Sequence, residues 1–227
     1  NDDPSSSSSP YAYVLYGGRK EATAVQLSDI AAGNGGFVVY GEPTSGRSQR
    51  PISSSGDING DGIDDLIIGV PADSTRSKSS SNTYVIFGTK LIRQSPVNLS
   101  LIAAGVGGFV IRGKLSYNNS GISVSASHDY NKDGIDDVLI GAPGQEYSGN
   151  NNRSYVVFGK KGSSRPTVEL SKISAGKEGF VLSGGSKSNF SGISVDYIDD
   201  FNGDGRAEII IGSPGAKGYA GMTYVIF

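Results

Sequence analysis

The sequence of 227 residues has no cysteine, no tryptophan, one methionine (Met222) and one histidine (His128). Without cysteine there can be no disulfide staples, no thiolate metal sites and no Cys-His nucleophile pair. That lack does not choose between a cell surface and the cytosol. No apolar run approaches the length of a membrane span, and no secretory signal pattern opens the chain. Excess positive charge is also missing. The formal charge is −2, so no basic face for nucleic acid is implied. Long stretches of helical period are absent.

What the chain does have is glycine, at 34 residues, together with 12 tyrosines and an apolar set of Val, Ile, Tyr and Phe. That mixture favours many short strands joined by turns. Internal repetition organises them. The runs YVLYG, YVIFG, YVVFG and YVIF begin at Tyr13, Tyr84, Tyr155 and Tyr224, in steps of 71, 71 and 69 residues. The runs GFVVYG, GFVIRG and GFVLSG begin at Gly36, Gly108 and Gly179. A connector of the form V-x-L-S-x-I-x-A-G-x-x-G-F spans Val25–Phe37, Val97–Phe109 and Val168–Phe180. Acidic stretches begin at Asp57, Asp129 and Asp200, in step with the rest.

Each unit offers four apolar segments. In the middle unit these are Gly108–Gly113, Ser120–Ser127, Asp136–Pro143 and Ser154–Lys160. They are β-branched, aromatic or alternating runs stopped by Gly and Pro, as short strands are. Four short strands per repeat is the signature of a propeller blade, which buries its faces by stacking on its neighbours. Tyr13, Tyr84, Tyr155 and Tyr224 are expected to pack between blades.

These residues resemble the FG-GAP repeat, the unit of the integrin α-subunit β-propeller. The family pattern runs from a strand near F-G-x-S-V, through D-x-[DN]-x-D-G-x-x-D, to an apolar strand ending in G-A-P. Here Asn119–Val124 and Phe190–Val195 stand at the first position, and GVP, GAP and GSP close the second strands at Pro71, Pro143 and Pro214. The first copy departs from the pattern, with Ser48, Gln49, Arg50, Pro51 and Ile52 there. Pro51 cannot donate to a ladder, so this strand is expected to begin at Ile52. The V-x-L-S-x-I connector looks closer to bacterial, cyanobacterial-type members of the family.

The resemblance implies an all-β fold: a β-propeller segment of four-stranded blades, about three blades with partial ends, cut from a larger seven-bladed ring. The expected divisions are a partial blade at 1–44, blades at 45–113 and 114–184, and a partial blade at 185–227, all one domain. With strands A to D counted from the inside outward, the sequence runs from a C strand to a C strand. The chain is therefore expected to be an internal piece of a longer product, the alternative being a small protein that closes by oligomerising.

The acidic stretches carry the chemistry. Calcium takes six to eight oxygens, and a loop supplies them from alternate positions. In the first loop the expected ligands are Asp57, Asn59, Asp61, the carbonyl of Ile63, and Asp65. In the second they are Asp129, Asn131, Asp133, the carbonyl of Ile135, and Asp137. In the third they are Asp200, Asn202, Asp204, the carbonyl of Arg206, and Glu208, whose extra methylene sets it apart. Gly62 at position 6 permits the sharp turn. An EF-hand begins in the same way but needs a Glu at position 12, where Ile68, Ile140 and Ile211 stand. A bare Asp/Asn/Gly turn is the plainer rival. Three carboxylates in one loop repel one another unless a cation neutralises them, which favours three Ca2+ sites over that turn, with magnesium or sodium as rival ions. Asp64, Asp136 and Asp199 are expected to stand outside the ligand set, in solvent or behind the ligands.

Other sites carry less. A Ser-His-Asp triad would have to use His128, but the other repeats have Gly56 and Asp199 at that position, which places His128 at the surface or behind the ligands. Paired acids for glycoside hydrolysis are largely absorbed by the metal loops. The Gly-rich stretches at Gly33 and Gly105 lack a following Lys-Ser/Thr, and no helix is expected there, which argues against phosphate binding. Four N-x-S sequons, at Asn98, Asn118, Asn152 and Asn189, are what chance gives in so Asn- and Ser-rich a chain. The function this supports is a non-enzymatic, calcium-binding adhesion module, extracellular or at the cell surface. Its protein or glycan ligand would meet the variable loops 72–82, 144–152, 215–221, 42–50, 114–119 and 184–189. Further repeats of the same protein are a second expected partner. An accessory propeller of a secreted hydrolase or lyase, or a surface-layer or fibre repeat, are the alternatives.

Overall fold

The computed structural model describes all residues except 1–9, 19–23, 42–50, 55, 72–80, 91–95, 114–118, 145–151, 163–166, 174–177 and 186–188. The described residues form an all-β fold of four successive sheets. The first contains β1 (Pro10–Leu15), β2 (Gly36–Tyr40) and β6 (Val97–Asn98), in the order β1-β2-β6. The second contains β3 (Ile52–Ser54), β4 (Leu66–Val70), β5 (Asn82–Ile86), β7 (Gly108–Arg112) and β11 (Val168–Glu169), in the order β11-β7-β5-β4-β3. The third contains β8 (Ser123–His128), β9 (Asp137–Ala142), β10 (Arg153–Val157) and β12 (Gly179–Ser183), in the order β12-β10-β9-β8. The fourth contains β13 (Ser194–Ile198), β14 (Glu208–Ser213) and β15 (Met222–Ile226), in that order. This is the up-and-down blade order of a propeller segment, and β3 begins at Ile52, immediately after Pro51.

Three apolar layers lie between successive sheets. Side chains alternate across a strand, so neighbouring residues of one strand serve different layers. Ile68, Tyr84 and Ile86 face the first sheet, among Val39, Leu99 and Val110. Ile67 and Val85 face the third, among Val138, Ile140 and Tyr155. Leu139 and Val156 face the fourth, among Val195, Ile209 and Ile211. Tyr84 and Tyr155 are buried at 4 % and 1 % exposure, each against the preceding sheet.

The V-x-L-S-x-I connector makes a fifth element that period reading missed. Val97 and Asn98 pair in parallel with Val39 and Tyr40 of the preceding repeat, and Val168 and Glu169 with Ile111 and Arg112. The second and third connectors thus cover the outer edge of the preceding blade. A short helix then follows, α1 (Leu27–Ala31) in the first repeat and α2 (Leu99–Ala103) in the second, so the expectation of no helix beside the Gly-rich stretches is corrected. Leucine, alanine and serine tolerate a single helical turn, and Asn98 caps α2 by accepting the Ser100 N–H at 3.0 Å. Gly33 and Gly105, at φ +84° and +86°, end these turns in the left-handed region. Among the described residues no helix is long and apolar enough to cross a membrane.

Candidate metal loops

Each acidic stretch joins the two innermost strands of its sheet: β3 to β4, β8 to β9, and β13 to β14. The three are built alike. Asp57 accepts the N–H groups of Asp61 and Gly62 at 2.9 and 2.6 Å. Asp129 accepts those of Asp133 and Gly134 at 3.0 and 2.6 Å, and Asp200 accepts that of Gly205 at 2.9 Å. At position 5, Asp61, Asp133 and Asp204 accept the N–H of Ile63, Ile135 and Arg206 at 2.9, 3.0 and 2.9 Å. Position 6 is left-handed in all three loops, and so is position 4, occupied by Gly60, Lys132 and Gly203. The side chains at positions 1 and 5 thereby turn inward over a tight coil of backbone.

Position 3 divides the loops. Asn131 and Asn202 donate to Asp133 and Asp204 at 3.0 and 3.3 Å. Asn59 is 2 % exposed, and neither atom of its amide has a hydrogen-bond partner. Such a buried, unmatched amide costs about 1–3 kcal/mol, which a bound ion or water would relieve.

Position 9 is buried in every copy. Asp65 accepts from Ile58 and Gly88 at 3.0 and 2.8 Å. Asp137 accepts from Tyr130 and Gly159 at 3.0 and 2.9 Å. Burial pushes both carboxyls up to about 7, outweighing these hydrogen bonds. Glu208 accepts from Phe201 at 2.7 Å. Among the described residues, Asp200, Asp204 and Glu208 alone bring three carboxylate oxygens within 4.8 Å of one another. The longer Glu arm thus reaches its loop partners, whereas each shorter Asp has both oxygens taken by backbone N–H groups.

Asp136 has a use that its place beside a ligand did not announce. Its carboxylate accepts the Asp57 N–H of the preceding blade at 2.8 Å, and its own N–H donates to the Asp57 carbonyl at 3.2 Å. The Ile58 and Asn59 carbonyls take the N–H groups of Lys160 and Gly162, at 3.0 and 2.8 Å. A Cβ on Gly56 would lie 1.7 Å from an Asp136 carboxylate oxygen, so a side chain there would displace that carboxylate from its bond to Asp57. The equivalent of Gly56 in the next repeat is His128, and the blade after it carries Ala207 in place of Asp136. The variation at the His128 position is therefore matched to the neighbouring blade. His128 itself is bound by Ser127 at 2.8 Å and by Asp199 of the next repeat at 2.7 Å, and its ring lies against Tyr197.

Of the expected ligand-loop face, segments 42–50 and 72–80 and most of 114–119 and 144–152 lie outside the described residues. In 215–221, Tyr219 is 67 % exposed at φ +70°.

The FG-GAP repeat family model matches residues 51–86, 120–157 and 192–226. The mouse phosphatidylinositol-glycan-specific phospholipase D is 30% identical over 175 residues, covering 74% of this chain and 18% of that protein. Integrin alpha pat-2 of Caenorhabditis elegans is 29% identical over 184 residues, covering 77% of this chain and 13% of its own length. Integrin alpha-5 of Xenopus laevis is 28% identical over 171 residues, or 71% and 14% of the two. The chain spans less than a fifth of each of these relatives. All three are animal proteins, so the bacterial affinity expected from the connector is not borne out.

Proposed function

This chain belongs to the FG-GAP repeat proteins, and from that membership we propose that it is a calcium-clipped propeller segment that presents an adhesive, ligand-binding loop face outside the cell. The observation that carries the calcium reading is the convergence of Asp200, Asp204 and Glu208 within 4.8 Å, in a loop whose backbone design recurs twice. Oxygen donors of this kind suit a hard cation. Asp57, Asn59, Asp61 and Asp65 would hold the first ion with the Ile63 carbonyl. Asp129, Asn131, Asp133 and Asp137 would hold the second with that of Ile135. Asp200, Asn202, Asp204 and Glu208 would hold the third with that of Arg206. The bound ion would offset the repulsion of the acids and tie the two inner strands of each blade. In this reading the blades divide at 44/45, 113/114 and 184/185.

Thermal melting with calcium, with chelator and with calcium restored tests the proposal. A higher melting temperature in calcium, with calorimetric binding of three ions per chain, is expected. An unchanged melting temperature on chelation overturns it. The similarity to a phospholipase D supports a second reading, an accessory propeller beside a catalytic domain. Sequence flanking the chain separates the two: a catalytic domain favours the accessory role, and further repeats or an anchor favour adhesion.

A further inference from the structure

The first acidic loop is divided between two blades. Asp57 closes the loop with its side chain, which holds the N–H groups of Asp61 and Gly62. Its backbone is held from the third sheet. The Asp57 N–H donates to the Asp136 carboxylate at 2.8 Å, and the Asp57 carbonyl accepts the Asp136 N–H at 3.2 Å. The same pattern continues on either side. The Gly56 N–H donates to the Ala126 carbonyl at 2.7 Å, and the carbonyls of Ile58 and Asn59 accept from Lys160 and Gly162 at 3.0 and 2.8 Å. Residues 56–59 are therefore pinned to β8, to the residue before β9 and to the turn after β10. The Ile58 side chain follows its backbone, buried among Val138, Tyr155 and Val157. Asn59 is buried as well, and its amide has no hydrogen-bond partner. The second half of the loop belongs to the second sheet. Asp65 leads into β4 and is held by the Gly88 N–H, beyond β5, at 2.8 Å.

We propose that Asp136 is a positioning residue of the first ion site, and that an ion held there clips the second sheet to the third as well as joining β3 to β4. The inference rests on the calcium reading. Asp57 and Asn59 would hold the ion from backbone that the third sheet fixes, Asp61 and Asp65 from the half that enters β4. Ligands of one ion share one centre, so the ion resists slippage between the halves. Without it, repulsion among the carboxylates loosens them. The effect is mutual: whatever steadies the seam raises ion affinity, and the ion steadies the seam by the same free energy. Asp136 acts without touching the ion, by fixing the Asp57 backbone. Gly56 leaves the space for it, since the three atoms nearest to a Cβ there all belong to Asp136. Gly56 does not lie in the left-handed region, so alanine there disturbs the carboxylate and not the local backbone. The contact is particular to this seam. In the next one Ala207 stands at the Asp136 position, and His128 meets Asp199 instead.

Hydrogen exchange at Lys160 and Gly162 tests the clip, because neither residue belongs to an ion loop. Their amides should exchange at least about tenfold more slowly in calcium than in chelator. Asp61→Ala, which removes a ligand of the first ion, should abolish that difference. Equal exchange in calcium and chelator overturns the proposal, as does slowing that survives Asp61→Ala. Calorimetric calcium titration tests Asp136. Asp136→Ala should weaken one ion about tenfold. Asp136→Asn, which keeps an acceptor for the Asp57 N–H, should recover most of that loss. Gly56→Ala should weaken the same ion, and the double variant should bind it no more weakly than Asp136→Ala alone. In an Asp61→Ala chain, Asp136→Ala should leave the remaining ions unchanged. Additive losses at Gly56 and Asp136, or a loss that persists in the Asp61→Ala chain, overturn the positioning role. A parent chain that binds no calcium sinks the calcium reading and this inference together, whereas failure in the variants of a calcium-binding parent sinks this inference alone.

Discussion

Gly62 sits at φ +83°, and a Cβ built on it meets nothing within 4 Å. A Gly62→Ala change therefore isolates backbone strain from packing, and should cost about 1–2 kcal/mol in urea unfolding. A neutral result would mean that the loop relaxes out of the left-handed region. Asp65 and Asp137 act at the same scale through charge. Their carboxyls stand at about 7 in the fold, against an ordinary 3.8. The cation-free fold therefore holds these protons more tightly than the unfolded chain does. The resulting stability is complete below the ordinary carboxylate value and is lost as pH rises toward about 7. In chelator, the melting temperature should fall across that window. In calcium the fall should shrink, because the ion stabilises the charged forms and binding releases protons. A chelated chain that melts higher at neutral pH than at mildly acidic pH would contradict this.

At the scale of elements, the connector separates what was legible in the sequence from what was not. The strands beginning at Gly36, Tyr84 and Tyr155 are readable because alternation and terminal glycines are local properties. The start of β3 was readable because proline cannot donate. Pairing of Val97 with Val39 was not, since a two-residue strand has no period and its partner lies in another repeat. The same limit hid the role of Asp136, whose partner is 79 residues away. The closeness of Glu208 to Asp200 and Asp204 was not legible either, because it contrasts with N–H groups that occupy the shorter Asp65 and Asp137 in the other two loops. The connector's contribution can be measured by a paired substitution. Leu99→Ala empties a buried site and should cost about 2–5 kcal/mol. Leu27→Ala, in the half-exposed copy, should cost under about 1 kcal/mol. Equal losses at the two sites would show that the connector packs alike in every repeat, against the exposures of 1 % and 50 %.

For the whole molecule, stacked sheets make stability a sum of blade terms and contacts between neighbours. The third sheet contributes to two of the three apolar layers, with Val138, Ile140 and Tyr155 in one and Leu139 and Val156 in the other. Among the described residues, the fourth sheet contributes to one only, through Val195, Ile209 and Ile211. Asp133 and Asp204 hold equivalent backbone N–H groups, at 3.0 and 2.9 Å, so replacing either by Ala removes the same local support. The consequences should nevertheless differ. In Asp133→Ala the weakened blade is the link between both layers, and unfolding in calcium should remain one transition with a lowered midpoint. In Asp204→Ala the weakened blade has a single neighbour and should open ahead of the rest. Urea unfolding should then show two steps, the second near the parent midpoint. Hydrogen exchange should localise the first step to β13–β15. Identical single transitions in the two variants would mean that cooperativity is not passed from sheet to sheet through these layers.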